Sequence, residues 1–362
     1  MKRYTSFNKH YVKKHIDELL KLKKQLEESN EIDFQKYIQL INDINELNIL
    51  LNNKNIKTLY DKLGDDPYDI TVSNNRRFFK EQDYTMPIIE EFDETYQNTL
   101  ENLNLEGIEY EEFKNTAYTH KHILNVIHDF YNSIPDKEIK DIFNKVYKDR
   151  IYNVRFTQST ASYTAGTTFD LKRYISIDSE INYSCFGSLA HEYGHVIQDN
   201  FLGKRVAYEN SQYTELLPLF FQLLFSEYFS NLEPKFKKRE QIENAYLIIK
   251  MENYARNLII LDRTKDMNFK DREEAYNYYL NYLFEEEAEM AAYYDADLFH
   301  DYLMPYIISI EILWQYKSDP EKAMYILKEI AKNYEVNYIE ETKKLGLTLN
   351  SHVPQYMEHL IK

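Results

Sequence analysis

Residues 188–200 read SLAHEYGHVIQDN and place His191, Glu192 and His195 within one short run of a chain that has only 10 histidines in 362 residues. The apolar residues around them, Phe186, Leu189, Ala190, Tyr193, Val196 and Ile197, recur at helical spacing. On a helix, positions four apart lie about 40° from each other, so both imidazoles share a face and can chelate one ion. Glu192 falls on the same side. Two neutral imidazoles suit zinc, and a carboxylate beside them can take the proton from a zinc-bound water. This is the H-E-x-x-H arrangement.

A catalytic zinc needs a third protein ligand and one position left open for water. Glu215, in SQYTELLPLFFQLLFSEYF, lies 24 residues after His191, which leaves room for a loop and a return on a second helix. Pro218 fits a helix only in its first turn, so that helix should begin near Thr214 with Glu215 at its N-terminal end. Two other carboxylates compete. Glu209 would sit on the connecting loop and Glu227 three turns further along the helix, and a ligand on a rigid element near the histidines favours Glu215. Asp199, one turn after His195, can orient a ligand histidine.

The rest of the chain bounds the setting. With 60 acidic and 44 basic residues the net charge is −16, which repels phosphate backbones and anionic lipid headgroups, so neither nucleic acid nor a membrane is expected as a partner. The single cysteine, Cys185, excludes an intramolecular disulfide, and the start MKRYTSFNKHYVKKHIDELL carries no apolar leader, so a cytoplasmic protein is expected. The run LLPLFFQLLF, residues 216–225, is too short to span a bilayer and reads as a buried helix. Gly and Pro total 15 residues, as a mostly helical chain requires.

Helical periodicity over 9–30 and 32–55, then 85–104, 109–132 and 136–149, predicts an N-terminal helical segment, residues 1–150. His10, His15, His120, His122 and His128 fall in it without ligand spacing. The texture changes near 151. IYNVRFTQSTASYTAGTTFDLKRYISIDSEINYS is rich in β-branched residues and tyrosine, and its alternating RYISID predicts one of two or three short strands. Helical pattern resumes after Ser184, with loops near 202–212, 231–237, 263–271 and 317–320. Residues 151–362 are therefore expected to form the catalytic region.

The stretch ASYTAGTTFDLKRYISIDSEINYSCFGSLAHEYGH, residues 161–195, resembles the M3 metallopeptidases, most closely their oligoendopeptidase F branch. Members show a Gly-Ala-Tyr-Ser-x-Gly stretch, a Pro-Tyr-Ile-like strand and then Leu-Ala-His-Glu-x-Gly-His, and the resemblance extends with gaps over about residues 155–350. It implies a mainly α, helical zincin-type metallopeptidase with a small β-sheet beside the active-site helix. It implies one Zn2+ per chain on His191, His195 and Glu215, with Glu192 as general base. Ala161, Ser162 and Tyr163 would bind the substrate backbone, with Gly166 at the following bend. The family has a His followed six residues later by a Tyr, both on the oxyanion. His300 and Tyr306 have that spacing, and Tyr302 between them is a further substrate contact.

The resemblance thus implies a zinc endopeptidase hydrolysing internal bonds of short, unstructured oligopeptides. The chain departs from the family in three ways. No glycine occurs between Gly203 and Gly346, Ala161 replaces the usual Gly, and the N-terminal half is shorter. A non-catalytic peptide-binding homologue is one alternative. A di-iron carboxylate protein is another, with Asp297-x-x-His300 imitating a second E-x-x-H unit beside Glu192-x-x-His195; such sites take two true units and two more glutamates. The sequence does not fix the oligomeric state.

Overall fold

A chain this poor in glycine and proline folds into helices wherever tertiary burial supports them, and thirteen helices surround one small sheet among the described residues. The computed structural model describes residues 9–28, 83–102, 118–150, 154–157, 163–166, 173–178, 183–202, 215–232, 237–293, 296–332 and 338–361, with scattered positions from 36 to 80. In chain order the elements are α1 (Lys9–Glu27), α2 (Met86–Asn102), α3 (His120–Ser133), α4 (Lys137–Tyr147), β1 (Val154–Thr157), β2 (Tyr163–Gly166) and β3 (Arg173–Asp178). There follow α5 (Ser184–Leu202), α6 (Leu216–Leu232), α7 (Lys237–Thr264), α8 (Arg272–Tyr279), α9 (Glu285–Tyr293) and α10 (Ala296–Ser318), then α11 (Pro320–Lys332), α12 (Tyr338–Lys344) and α13 (Val353–Ile361). No described helix is long and apolar enough to cross a membrane.

The expected strand-rich segment is a mixed three-stranded sheet in the order β1-β3-β2, with β3 parallel to β1 and antiparallel to β2. Alternation in RYISID puts Ile175 and Ile177 on one buried face and Ser176 on the other. Tyr163 lies in the edge strand β2, which leaves one side of its backbone outside the described ladder. Gly166, expected at a bend, is instead the last residue of β2, opposite Arg173. Ala161 and Ser162 lie outside the described residues.

Helix α5 carries H-E-x-x-H and buries Phe186, Leu189, Ala190, Tyr193, Val196 and Ile197. Helix α6 is the apolar run, and it lies in the core as its composition predicts, with Phe220, Phe221 and Leu223 fully buried. Each such side chain contributes on the order of 2 kcal/mol through the area it removes from water. The two helices approach so closely that a Cβ on Gly194 would lie 2.5 Å from Pro218 Cα and 2.7 Å from Pro218 N. Glycine is demanded there by backbone proximity rather than by conformation. Gln198 of α5 secures the contact, because its Oε1 accepts from Leu217 N at 3.0 Å and satisfies a donor that the first turn of α6 leaves without a helical partner. Tyr131 of α3 donates to Ala190 O at 2.6 Å, so the N-terminal helices also grip α5.

One hydrophobic core runs from Phe78 to Met357, and a small second cluster joins Ile16 to Leu40 and Ile44. Beneath the main core, α7 is tied to the segment before α5 by a short hydrogen bond from the Tyr183 hydroxyl to Glu240. Burial pushes the Glu240 carboxyl up to about 7, more than the hydrogen bonds from Ser226 and Tyr183 pull it down. A carboxyl whose folded value is raised adds stability at acid pH, below its unfolded value of 4.5, and loses it as pH climbs through 7. The melting temperature of the wild type should therefore decline between pH 5 and 8 partly through this group. Glu240→Gln, which keeps a neutral polar side chain, should flatten that decline; melts with an unchanged slope would show that Glu240 is not the group responsible.

Candidate metal centre

Pro218 sits in the first turn of α6 as its chemistry requires, and Glu215 immediately precedes the helix, where its carbonyl accepts the first helical bond from Leu219 N at 3.0 Å. The close packing at Gly194 then brings the Glu215 carboxylate over the histidine face of α5. His191 Nε2 lies 3.2 Å from Glu215 Oε2, and His195 Nε2 lies 3.6 Å from Glu215 Oε1. All three ligand atoms fall within 4.8 Å of one another, and no other group of His, Cys, Asp and Glu converges this way among the described residues. Competing carboxylates are elsewhere. Glu227 lies 3.5 Å from both Lys317 and His359, and Glu209 is outside the described residues.

The donor set fits a zinc ion on two counts. A tetrahedral site with bonds of about 2.0–2.1 Å has edges of about 3.3–3.4 Å, which lie between the two observed separations of 3.2 and 3.6 Å. The second count concerns lone pairs. Gln222, two turns after Glu215 on the same face of α6, has its Oε1 2.9 Å from His191 Nδ1 and so accepts the proton of that nitrogen. The Nε2 lone pair then points at a carboxylate oxygen, Oε2, that is buried and makes no well-aligned hydrogen bond. Two acceptors facing each other need a cation between them. Burial lowers the His191 value, but the adjacent Glu215 carboxylate outweighs it and raises the net value. Burial likewise raises the Glu215 carboxyl, and the two imidazoles reverse this to a net lowering.

Gln222 is the orienting partner of His191, one that the sequence reading did not name. A partner on the far ring nitrogen fixes the tautomer that presents Nε2 to a metal, and its loss typically costs 10- to 100-fold in affinity. Gln222→Leu should weaken zinc binding by roughly that factor. A competition titration against a chelator measures it, and an affinity equal to wild type would remove Gln222 from this role.

Around the three ligands stand residues from α5, α7 and α10. Glu192 is buried, and its charge reaches His191 and Tyr302. Tyr302 stands close enough to Glu215 to feel its charge, and its acidity is suppressed first by burial and then by that charge, so it stays protonated. Its ring meets Tyr254 of α7 edge-on at 5.9 Å. The ammonium of Lys250, one turn before Tyr254, lies 5.3 Å from the Tyr302 ring centre and 5.5 Å from that of Tyr254.

The expected pair His300 and Tyr306 lies in the core of the protein. His300 is fully buried, packs edge-on against Phe78 at 5.1 Å and has its Nδ1 3.8 Å from Asp301 Oδ1. Tyr306 is also fully buried, with its ring 6.4 Å from Phe92 and its hydroxyl without a hydrogen-bond partner among the described residues. Residues six apart on a continuous helix are separated by about 120° around its axis, and α10 is unbroken from 296 to 318, with Pro305 inside it.

No protein-family model matches the sequence, and no curated protein matches it either. Solved structures do. One from Bacillus anthracis, described as an oligoendopeptidase F, matches over 91% of this chain and 63% of its own at a TM-score of 0.51 and 13% identity. Pz peptidase A with a bound inhibitor matches over 95% and 66% at 0.48 and 12%. A peptidase from Chlamydophila abortus matches over 96% and 62% at 0.47 and 13%. The chain spans less than two thirds of the length of each. At this identity the likeness concerns the fold. The mainly helical architecture with a small sheet beside the H-E-x-x-H helix is that of an oligoendopeptidase F structure, in agreement with the resemblance in the sequence.

Proposed function

We propose that the chain is a zinc-dependent peptidase that hydrolyses internal bonds of short, unstructured peptides. The observation that carries this reading is the convergence of His191, His195 and Glu215 around a gap that needs a cation, with Glu192 beside it. Zinc held by those three residues supplies a Lewis acid that polarises the scissile carbonyl and makes water acidic. Glu192 takes the proton from the attacking water and delivers it to the leaving amine. Its burial keeps competing water away from that transfer. The Tyr302 hydroxyl donates to the developing oxyanion, the part the sequence assigned to His300 and Tyr306. The side of β2 that no described strand pairs, around Tyr163, offers main-chain donors and acceptors to an extended substrate. In this reading residues 151–362 carry the chemistry, and the helices before 150 wall it.

A quenched fluorescent peptide library, incubated with zinc-loaded protein, tests the activity. Cleavage within the peptides supports the reading, and no cleavage of any peptide by protein that holds its zinc supports a binding homologue instead. The tyrosine assignment has its own outcome. Removing one oxyanion donor typically costs about a hundredfold in kcat, so Tyr302→Phe should show a loss of that order while Tyr306→Phe stays within severalfold of wild type. The reverse ranking would return the role to Tyr306.

A further inference from the structure

The cation beside the metal centre has no place in the mechanism above, yet its position is unusual. Lys250 is exposed on α7 while the ring of Tyr254, one turn on, is buried, and Tyr302 closes the other side. Both ring centres lie within the ~6 Å over which an ammonium is attracted to an aromatic face. The rings restrain the ammonium without neutralising it. Among the described residues no carboxylate pairs with it, although Glu215 is near enough to act on its charge. Tyr246, Lys250 and Tyr254 are spaced by four, so they form one stripe along α7 that runs from the buried end at Tyr254 to Tyr246, which is 53% exposed. In a chain of net charge −16 this puts a restrained, accessible positive charge at the mouth of the site.

We propose that Lys250 binds a carboxylate of the substrate and so selects peptides that place one close to the scissile bond. The inference rests on the peptidase reading, which limits the anions an extended substrate can offer to its C-terminal carboxylate and its Asp and Glu side chains. A carboxylate is the natural partner. A bound Zn2+ would balance the charges of Glu192 and Glu215, so Lys250 supplies the net positive charge that a substrate carboxylate meets there. Tyr254 backs the cation from the core, and the exposed Tyr246 on the same helix face offers apolar surface to the adjoining part of the peptide.

Three matched peptides test the proposal: one with a free C-terminus shortly after the cleaved bond, the same peptide amidated, and the amidated peptide with an Asp or Glu at the corresponding position. For wild type and Lys250→Gln, kcat and KM are measured on each. The expected result is a KM raised about tenfold for one or both carboxylate-bearing peptides, with kcat nearly unchanged and the neutral amide unaffected. Which of the two responds identifies the terminal or the side-chain carboxylate as the ligand. Equal losses on all three peptides would mean that Lys250 merely balances the charge of Glu215, and the proposal would fall. Lys250→Glu should invert the preference towards peptides carrying Lys or Arg. Direct binding separates this proposal from the activity itself: fluorescence anisotropy of labelled peptides on zinc-loaded Glu192→Gln protein, with and without Lys250→Gln. Lys250-dependent carboxylate binding, together with a zinc-loaded wild type that cleaves none of the peptides, would defeat the peptidase reading and keep the recognition site. Cleavage without any such dependence would defeat the site alone. Because Lys250 is exposed, Lys250→Gln should melt with the wild type, which excludes a folding defect.

Discussion

Glu192→Gln is expected to slow peptide hydrolysis by roughly a thousandfold while the protein retains its zinc. The substitution preserves volume and polarity at a buried position, so the helix and its two histidines stay where they are. What it removes is a group that can accept a proton from water and release it to an amine. Glu192 is not one of the three converging ligand atoms, so metal content should not follow activity. The comparison of zinc stoichiometry and kcat in one preparation makes the prediction sharp. Turnover at the wild-type rate would remove Glu192 as the base, and a protein that had lost its zinc would place it among the ligands.

Gly194→Ala is expected to damage both fold and metal site, although the residue touches neither metal nor substrate. A methyl group at this position would stand 2.5 Å from Pro218 Cα and 3.0 Å from the Leu217 carbonyl carbon, all backbone atoms that no rotamer change can move. Helices α5 and α6 would have to separate, and overpacking of this kind costs about 1–3 kcal/mol. The separation is directed. Pro218 lies three residues from Glu215, so the displaced segment carries the third ligand away from His191 and His195, and zinc sites tolerate only about 0.2 Å in ligand distances. A clear fall in melting temperature and a loss of more than tenfold in zinc affinity should appear together. A variant with native stability and native affinity would show that the contact between the helices is not what positions Glu215.

The same contact explains how much of this molecule can be read from its sequence. Periodicity alone finds α5, because its apolar positions are spaced for one buried face, and the chemistry of Pro218 alone finds the start of α6. Three ligand candidates followed from these two helices, and the structure brings all three together. RYISID gave its strand through alternation. Gln222 was missed because its role depends on a pairing between helices, although its spacing of seven from Glu215 puts the two on one face. Lys250 and Tyr254 were missed for a similar reason, since α7 meets the site only through tertiary packing. Tyr306 was chosen by linear spacing in a chain with 34 tyrosines, and on an unbroken helix it falls one turn beyond Tyr302 on the same face, where it is buried against Phe92. Motif spacing transfers between proteins only when the intervening backbone has the same conformation.

The most direct test of the central claim is anomalous diffraction at the zinc edge from crystals of the zinc-loaded protein. The account predicts one strong peak per chain, within about 2.1 Å of Nε2 of His191, Nε2 of His195 and a carboxylate oxygen of Glu215. A peak at any other group of residues, or no peak in protein that cleaves peptides, would contradict it.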